Sequence, residues 1–417
     1  MAADSLVADL NSALSNVPLI DPHSHIDPLA AASKSLDDIL GYHYYTELAH
    51  SAGMPQTPLA KDVPPRDRVR EIVRFMDRYD NTAQYAWFLD IARTFLGFTG
   101  DCVTAADADR LFDLADKTFS QPDWEQQVRE KTKLEKIFLT NEFDDPLQDF
   151  DTSVYVPCLR TDTLVFHLDK PDTRRRLAAC TGVEVRDGAT LRQALVKLFM
   201  HFTRRGAKAC AISLPPNFYP AKFDDEHFYE QMQFHGYGDL APGVFWTIAE
   251  FCRDFRLPFD LMIGVNRRVY EKGVFQGQDL FDQRTSLLQY KDLFNAFPEV
   301  TFPVSVLTSA QNQELVAYSW IFPNVLPNGH WWYSNTPPYI RKDLTERITA
   351  VPKTKLIGYY SDAYKLEFVQ PKYAMYRRIL ANVLADEFVR PGLMSEKDAV
   401  ALGTRLLRDN VKEVFKV

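Results

Sequence analysis

The chain has 417 residues, of which 46% are hydrophobic and 25% are charged, the composition of an ordinary globular protein. Its net charge of −8 argues against a nucleic-acid-binding surface. No apolar run approaches the roughly 20 residues that span a bilayer, and the N-terminus shows no secretory-signal pattern. The five cysteines are scattered without paired spacing, which predicts buried, reduced thiols. We therefore expect a cytoplasmic protein that binds a small molecule and neither nucleic acid nor membrane; a homo-oligomer is compatible with this composition.

A His-x-His motif, His23 and His25, follows a short apolar run near the N-terminus. On a β-strand, residues i and i+2 point the same way, so the two imidazoles can converge on one ion. Two convergent histidines at the carboxyl end of a parallel strand are a common start of a metal site. The alternative is a histidine that only hydrogen-bonds a neighbouring loop.

The next predicted strand lies more than 100 residues further along the chain, and a structureless loop of that length is improbable. Helical patterns fill this interval at 35–52, 65–80, 82–96 and 105–119. We interpret residues 30–129 as a helical insertion that covers the catalytic face of a domain formed by residues 1–29 and 130–417.

Seven more short apolar runs with β-branched residues follow. They are 136–140, 153–159, 207–213, 258–264, 301–306, 322–326 and 355–361. Helical patterns separate them, as at 190–203, 243–255 and 313–320, and the tail 372–417 is helical with Ser395 as a predicted N-cap. Eight alternating units predict an α/β fold, a (β/α)8 TIM-like barrel with a helical C-terminal tail.

The last predicted strand ends at Asp362. In a barrel the eighth strand is the neighbour of the first, so this carboxylate should lie close to His23 and His25. Two imidazoles and one carboxylate leave an open coordination position, which suits catalysis. We expect one divalent metal ion, zinc, at His23, His25 and Asp362, because the fourth and fifth predicted strands end without a lysine or histidine to bridge a second ion. A turn cap is the alternative for Asp362 alone.

Further segments occur in an order that identifies a family. They are an Asp-x-His-x-His opening at 21–25, a His-Tyr segment at 42–45, a Thr-x-Asp-Asp-Pro-like run at 140–146, a Pro-x-x-Arg-Pro-Asp-like run at 156–162, a Gly-x-Trp-Trp-Phe-x-Asp-like element at 329–335, and a final strand and helix at 358–362 and 373–380. Together they resemble the uronate isomerase branch of the amidohydrolase superfamily over most of the chain.

The sequence also departs from that family at three places. Met262 stands at the family's histidine in the fifth strand, the run 212–216 lacks its Asp-His pair, and Tyr364 stands at the arginine that follows the last strand. Methionine does not titrate and binds hard metals poorly, and tyrosine cannot form arginine's two-pronged bond to a carboxylate. We therefore expect poor activity on ordinary hexuronates and either a preference for a modified or less acidic sugar derivative or hydrolysis instead.

The resemblance implies roles for individual residues. The expected substrate contacts are Arg160, Trp331, Trp332 and Tyr364, and the expected catalytic residues are Asp362, Tyr44 and His43. Ordinary aromatic packing is the alternative for His43 and Tyr44.

The implied activity is a metal-dependent aldose–ketose isomerisation of a uronate or related sugar acid through an enediol. Asp362, or a metal-bound water, would be the base, Tyr44 would relay a hydroxyl proton, and Arg160 would hold the carboxylate. One alternative is a metal-dependent hydrolase of an ester, lactone or amide, in which Asp362 takes a proton from water. Another is a ligand-binding barrel that has lost catalysis.

Overall fold

The computed structural model describes residues 5–222 and 237–417, which form a mixed α/β fold built on parallel strands. The strands are β1 (Leu19–Asp21), β2 (Leu134–Phe138), β3 (Tyr155–Val156), β4 (Cys158–Arg160), β5 (Ala209–Leu214), β6 (Phe259–Ile263), β7 (Val265–Asn266), β8 (Leu280–Phe281), β9 (Phe302–Val306) and β10 (Val325–Pro327). All pairs are parallel except the small β7–β8 hairpin. The predicted strands are therefore confirmed in place, with bounds shifted by a few residues, except for the last.

The parallel strands follow one another in chain order. One sheet has the order β1-β2-β3 and the other the order β10-β9-β6-β5-β4. β3 and β4 together are the third predicted strand, which is divided at Pro157, a residue that has no amide hydrogen to give to a sheet. Beyond β2, Asn141 bridges to Leu159 of β4, so the second and third positions remain neighbours.

The eighth predicted strand, 355–361, forms only one bridge, between Ile357 and Asn328. Its continuation nevertheless bonds to the segment that follows β1. The amide of Asp362 donates to the carbonyl of His23 at 3.1 Å, and the amide of His25 donates to the carbonyl of Ala363 at 2.8 Å. These two bonds fix the last segment against the first.

Helices fill the interval between β1 and β2 and alternate with the later strands. The α-helices are Ser5–Ser15, Leu36–Leu40, His43–Ser51, Pro65–Arg74, Ala83–Leu96, Ala108–Phe119, Trp124–Thr132, Asp162–His167, Pro171–Thr181, Gly188–Arg204, Tyr237–Phe255, Lys291–Ala296, Asn312–Ile321, Pro337–Ala350, Val369–Leu384, Glu396–Thr404 and Asn410–Phe415. The predicted N-cap is confirmed, since Ser395 Oγ accepts from the amide of Asp398 at 3.1 Å. No described helix is long and apolar enough to cross a membrane.

Two hydrophobic cores support these elements. One packs the N-terminal helix, the helices between β1 and β2, and the C-terminal helices. The other packs Gly188–Arg204 and Tyr237–Phe255 against β5, β6 and β9. All five cysteines are free, but Cys102 and Cys180 are exposed, so the expectation that every thiol is buried is wrong. The spacing of the cysteines along the sequence does not show which of their thiols are buried.

Candidate functional site

His23, His25 and Asp362 meet where the ends of β1 and of the last strand segment are bonded together. The ligand atoms of the three side chains all lie within 4.8 Å of one another. His23 Nε2 is 3.5 Å and His25 Nε2 is 3.4 Å from the same oxygen, Asp362 Oδ1. The structure thus brings together the three residues that the sequence analysis proposed as ligands.

The donor set fits a divalent metal ion. His23 Nε2 and Asp362 Oδ1 are buried, and neither has a hydrogen-bond partner among the described residues. Buried polar atoms are normally paired, so two unpaired atoms that face each other fit joint binding of a metal ion. Four-coordinate zinc with bonds of about 2.0–2.1 Å separates neighbouring ligand atoms by about 3.3 Å, close to these distances. Histidine and carboxylate are also the ligands that zinc commonly takes.

His25 is oriented by Thr140, which follows β2. Thr140 Oγ1 donates to the carbonyl of Ser24 at 3.0 Å and lies 2.8 Å from His25 Nδ1. Because the hydroxyl has one proton and gives it to Ser24, the remaining bond is donated by Nδ1–H of His25. The lone pair of His25 is then on Nε2, the atom that faces Asp362. Burial lowers the pKa of His25, so this imidazole stays neutral.

His23 is oriented by Asp260 in the middle of β6. Asp260 Oδ2 lies 3.6 Å from His23 Nδ1, while its other oxygen accepts from Asn328 Nδ2 at 3.0 Å. Burial alone would lower the pKa of His23, but Asp260 and Asp362 outweigh it and raise the pKa to about 9. The sequence analysis missed Asp260 and Asn328. A charged residue inside the apolar fifth predicted strand was the available signal.

Asp362 is held in an ionised and conformationally unusual state. Burial alone would raise its pKa, but the adjacent imidazoles of His23 and His25 lower the pKa below the usual range. Its backbone lies in the left-handed region with φ of 52°, as does that of Trp332 with φ of 43°. Such conformations cost of order 1–3 kcal/mol in non-glycine residues and cluster at functional sites.

Residues at the start of the helix His43–Ser51 cover the carboxylate of Asp362. Tyr44 Oη donates to Asp362 Oδ2 at 3.4 Å, and Tyr42 Oη donates to the Asp362 carbonyl at 3.2 Å. Burial raises the pKa of Tyr44 well above its ordinary value, so its hydroxyl keeps its proton. His43 Nδ1 lies 2.6 Å from Glu47 Oε1, which orients the ring.

A buried lysine, Lys372, bonds to the backbone next to Asp362, and the sequence analysis missed it. Lys372 Nζ donates to the carbonyl of Ser361 at 2.7 Å, directly before Asp362. The ammonium also lies 5.3 Å from the ring centre of Tyr44 and 4.9 Å from that of Trp87. Burial lowers the pKa of Lys372 to about 8. Lys372 therefore fixes the backbone that carries Asp362.

A cavity of about 160 Å³ opens above the three candidate ligands. The predicted site residues that border it are His23, His25, His43, Tyr44, Arg160, Trp331, Trp332, Asp362 and Tyr364, and Met262 borders it too. These side chains come from segments far apart in sequence that end at the same edge of the parallel strands. The cavity is small and is bordered by charged side chains such as Arg160 and Asp279, which fits a small polar molecule.

Comparison with known proteins agrees with this arrangement. The uronate isomerase of Nostoc punctiforme is 21% identical over 450 residues, covering 97% of this chain and 93% of the relative. The crystal structure of the uronate isomerase of Thermotoga maritima superposes with a TM-score of 0.90 at 18% identity, covering 99% of this chain and 98% of that one. The glucuronate isomerase of Caulobacter crescentus also reaches 0.90, at 17% identity over 99% and 94% of the two chains. No family model matches the chain.

The chain has the fold of the uronate isomerase structures, and its His23, His25 and Asp362 lie close enough together to hold a metal ion. The chain is similar over nearly its whole length to proteins named uronate isomerase, as the motif order indicated.

Proposed function

We propose that this protein is a metal-dependent aldose–ketose isomerase that acts on a uronate or a related sugar acid. The observation that carries the proposal is Asp362, which two histidines and the Tyr44 hydroxyl approach at the floor of a small polar cavity. The relatives named uronate isomerase, which align over nearly the whole chain, support the reaction class.

We further propose that the parallel strands form a closed eight-stranded barrel from residues 1–29 and 130–417, with residues 30–129 as a helical insertion over its mouth. The backbone bonds between the segments after β1 and around Asp362 support the closure. His43 and Tyr44 belong to the interval 30–129 and border the cavity, which supports the covering role.

His23, His25 and Asp362 would hold one divalent ion, which we propose is zinc. Such an ion supplies Lewis-acid stabilisation of the negative charge that develops during enediol formation. His25 and His23 serve as ligands through Nε2, because Thr140 and Asp260 hold the opposite nitrogens.

The chain's own groups account for substrate binding and proton transfer. Arg160 binds the carboxylate of the sugar acid, since a guanidinium matches a carboxylate in charge and shape. The carboxylate of Asp362 accepts the proton from C2 of the open-chain aldose, exchanges it with solvent, and then donates a proton to C1. Tyr44, protonated beside Asp362 Oδ2, exchanges a proton with the neighbouring sugar hydroxyl. Trp331 and Trp332 line the wall against which the sugar packs.

The test combines metal analysis with a substrate panel. The purified protein should contain one divalent ion per chain, and a His23→Ala/His25→Ala double variant should lose it. His50→Ala is a matched control, because His50 bonds to the Met54 carbonyl away from the cluster. Two ions per chain, or full metal content in the double variant, would contradict the site.

The panel is D-glucuronate, D-galacturonate and a set of lactones and esters. Isomerisation, slow on the ordinary hexuronates because Met262 and Tyr364 border the cavity, supports the proposal. Turnover of an ester or lactone alone would replace it with a hydrolase. Full metal content without any turnover would indicate a ligand-binding protein.

A further inference from the structure

The cavity is bordered by a second guanidinium, that of Arg267, which no motif singled out. We infer that Arg267 acts with Arg160 to bind the carboxylate of the substrate and so determines the preference for an acidic sugar. The inference rests on the proposed function, because it identifies how that same site selects its substrate.

A chain of short side chains connects the two arginines. Arg160 Nε donates to Asp162 Oδ2 at 3.3 Å, and Ser213 Oγ donates to Asp162 Oδ1 at 2.7 Å. Arg267 Nη2 in turn donates to Ser213 Oγ at 3.3 Å. Arg160 ends β4, Ser213 lies in the neighbouring strand β5, and Arg267 directly follows β7. β7 continues from β6, which is the next neighbour of β5, so three adjacent strands carry these residues of one polar wall.

Arg267 is held in place from the other side. Its Nη1 donates to Asp279 Oδ2 at 2.6 Å, and that carboxylate is only 12% exposed. The Asp279 side chain also accepts from the amide of Arg268 at 2.9 Å, and its carbonyl accepts from Tyr333 Oη at 2.7 Å. A guanidinium fixed in this way loses little conformational entropy when it binds a ligand.

Both arginines keep donors for a ligand. Among the described residues, Arg160 uses only Nε and Arg267 uses only its two terminal nitrogens. This leaves both amino groups of Arg160 and, on Arg267, the Nε–H and one N–H of each terminal nitrogen, while a carboxylate has two oxygens that accept about four hydrogen bonds. The pair therefore matches one carboxylate.

Tyr364, which stands at the position of the family's arginine, cannot supply a positive charge for the substrate carboxylate. Tyr364 borders the same part of the cavity, and burial raises the pKa of its hydroxyl to about 12. It remains an uncharged donor at neutral pH. Asp162 and Asp279 already balance the two guanidinium groups, so the wall is close to neutral and attracts carboxylates by directed hydrogen bonds. That arrangement favours recognition of one acidic group over general attraction of anions.

The decisive experiment measures the affinity of the metal-loaded protein for D-glucuronate and for D-glucose, which differ at the carboxylate. Arg267→Met should reduce the glucuronate-to-glucose affinity ratio about tenfold, the effect of one partly solvated charge-assisted bond. Arg284→Met is the matched control, because Arg284 is bonded to Asp282 outside the cavity and its side chain is 64% exposed. It should leave the ratio unchanged.

Two further variants keep the test decisive if Arg267→Met does not fold. Arg267→Lys retains the charge without the planar fork, and Asp279→Asn weakens the bond that holds Arg267; each should lower the ratio by less than Arg267→Met. A wild-type protein without preference for glucuronate would contradict the proposed function itself. A preference that is present in the wild type and fully retained in all three variants would overturn only the role of Arg267.

Discussion

Asp260 provides the strongest test of how the metal site is built. It lies in β6, is 3% exposed, and places Oδ2 3.6 Å from His23 Nδ1. Asn328 holds its other oxygen at 3.0 Å. Asp260→Asn keeps the size of the side chain but removes the charge that favours a proton on His23 Nδ1, and with it the orientation of Nε2 toward the ion.

The expected loss follows from the contact. Substitution of a group that orients a metal-bound histidine typically lowers metal affinity 10- to 100-fold, or about 1.4–2.7 kcal/mol. Because 3.6 Å is longer than an ordinary hydrogen bond, we expect a loss near the lower end, about 10-fold.

Proton competition makes this loss depend on pH. His23 must release a proton to bind a metal ion, and Asp260 and Asp362, which outweigh burial, raise its pKa to about 9. Wild-type affinity should therefore fall as the pH drops below 9. Without Asp260 the pKa of His23 is lower, so protons compete less. The full loss should appear at pH 9, and it should shrink at pH 6.5.

The assay is zinc binding by competition with a chelator at these two pH values. Asp254→Asn is the control, because Asp254 is paired with Arg253 on the surface. Equal zinc affinity of Asp260→Asn and the wild type at pH 9 would refute the orienting role. A loss that grows toward pH 6.5 would refute the account of proton competition.

Two other properties follow from the same site. Because the pKa of His23 is raised from 6.5 to about 9, its contribution to the stability of the metal-free protein is complete below pH 6.5 and lost as the pH rises through 9. The Tm of chelator-treated protein should fall across this interval, and an equal fall in His23→Gln would contradict the assignment. Arg160→Met should lower kcat/KM about 10- to 150-fold with unchanged metal content, the loss of one charge-assisted pair worth roughly 1.5–3 kcal/mol. Unchanged kcat/KM on the true substrate would exclude Arg160 from carboxylate binding.

The grouping of His23, His25 and Asp362 could be predicted from sequence because its signals are local. Alternation along a strand brings His23 and His25 to one side, and the order of the strands brings Asp362 to them. The parallel strands could be predicted for the same reason, since each apolar run is recognisable by itself. The last strand was harder to delimit, because the segment that carries Asp362 turns out of extended geometry, with φ of 52°.

The supporting residues could not be predicted, because their contacts depend on register and packing between distant segments. Asp260 lies in β6 and His23 follows β1, two strands that belong to different sheets and are not neighbours. Lys372 lies in a helix that sequence periodicity describes correctly, but that pattern does not show that its ammonium lies against the rings of Tyr44 and Trp87. Arg267 follows a strand of two residues, and the path of such a loop has no periodic signal.

The central claim is proton transfer at carbon, and solvent deuterium tests it most directly. The metal-loaded protein should be incubated in D2O enriched in oxygen-18 with each compound of the panel, and the product should be analysed by NMR and mass spectrometry. Isomerisation through an enediol predicts deuterium from solvent at C1 or C2 of the sugar. Turnover that places solvent oxygen in the product while every C–H bond stays unlabelled would contradict the isomerase and establish hydrolysis.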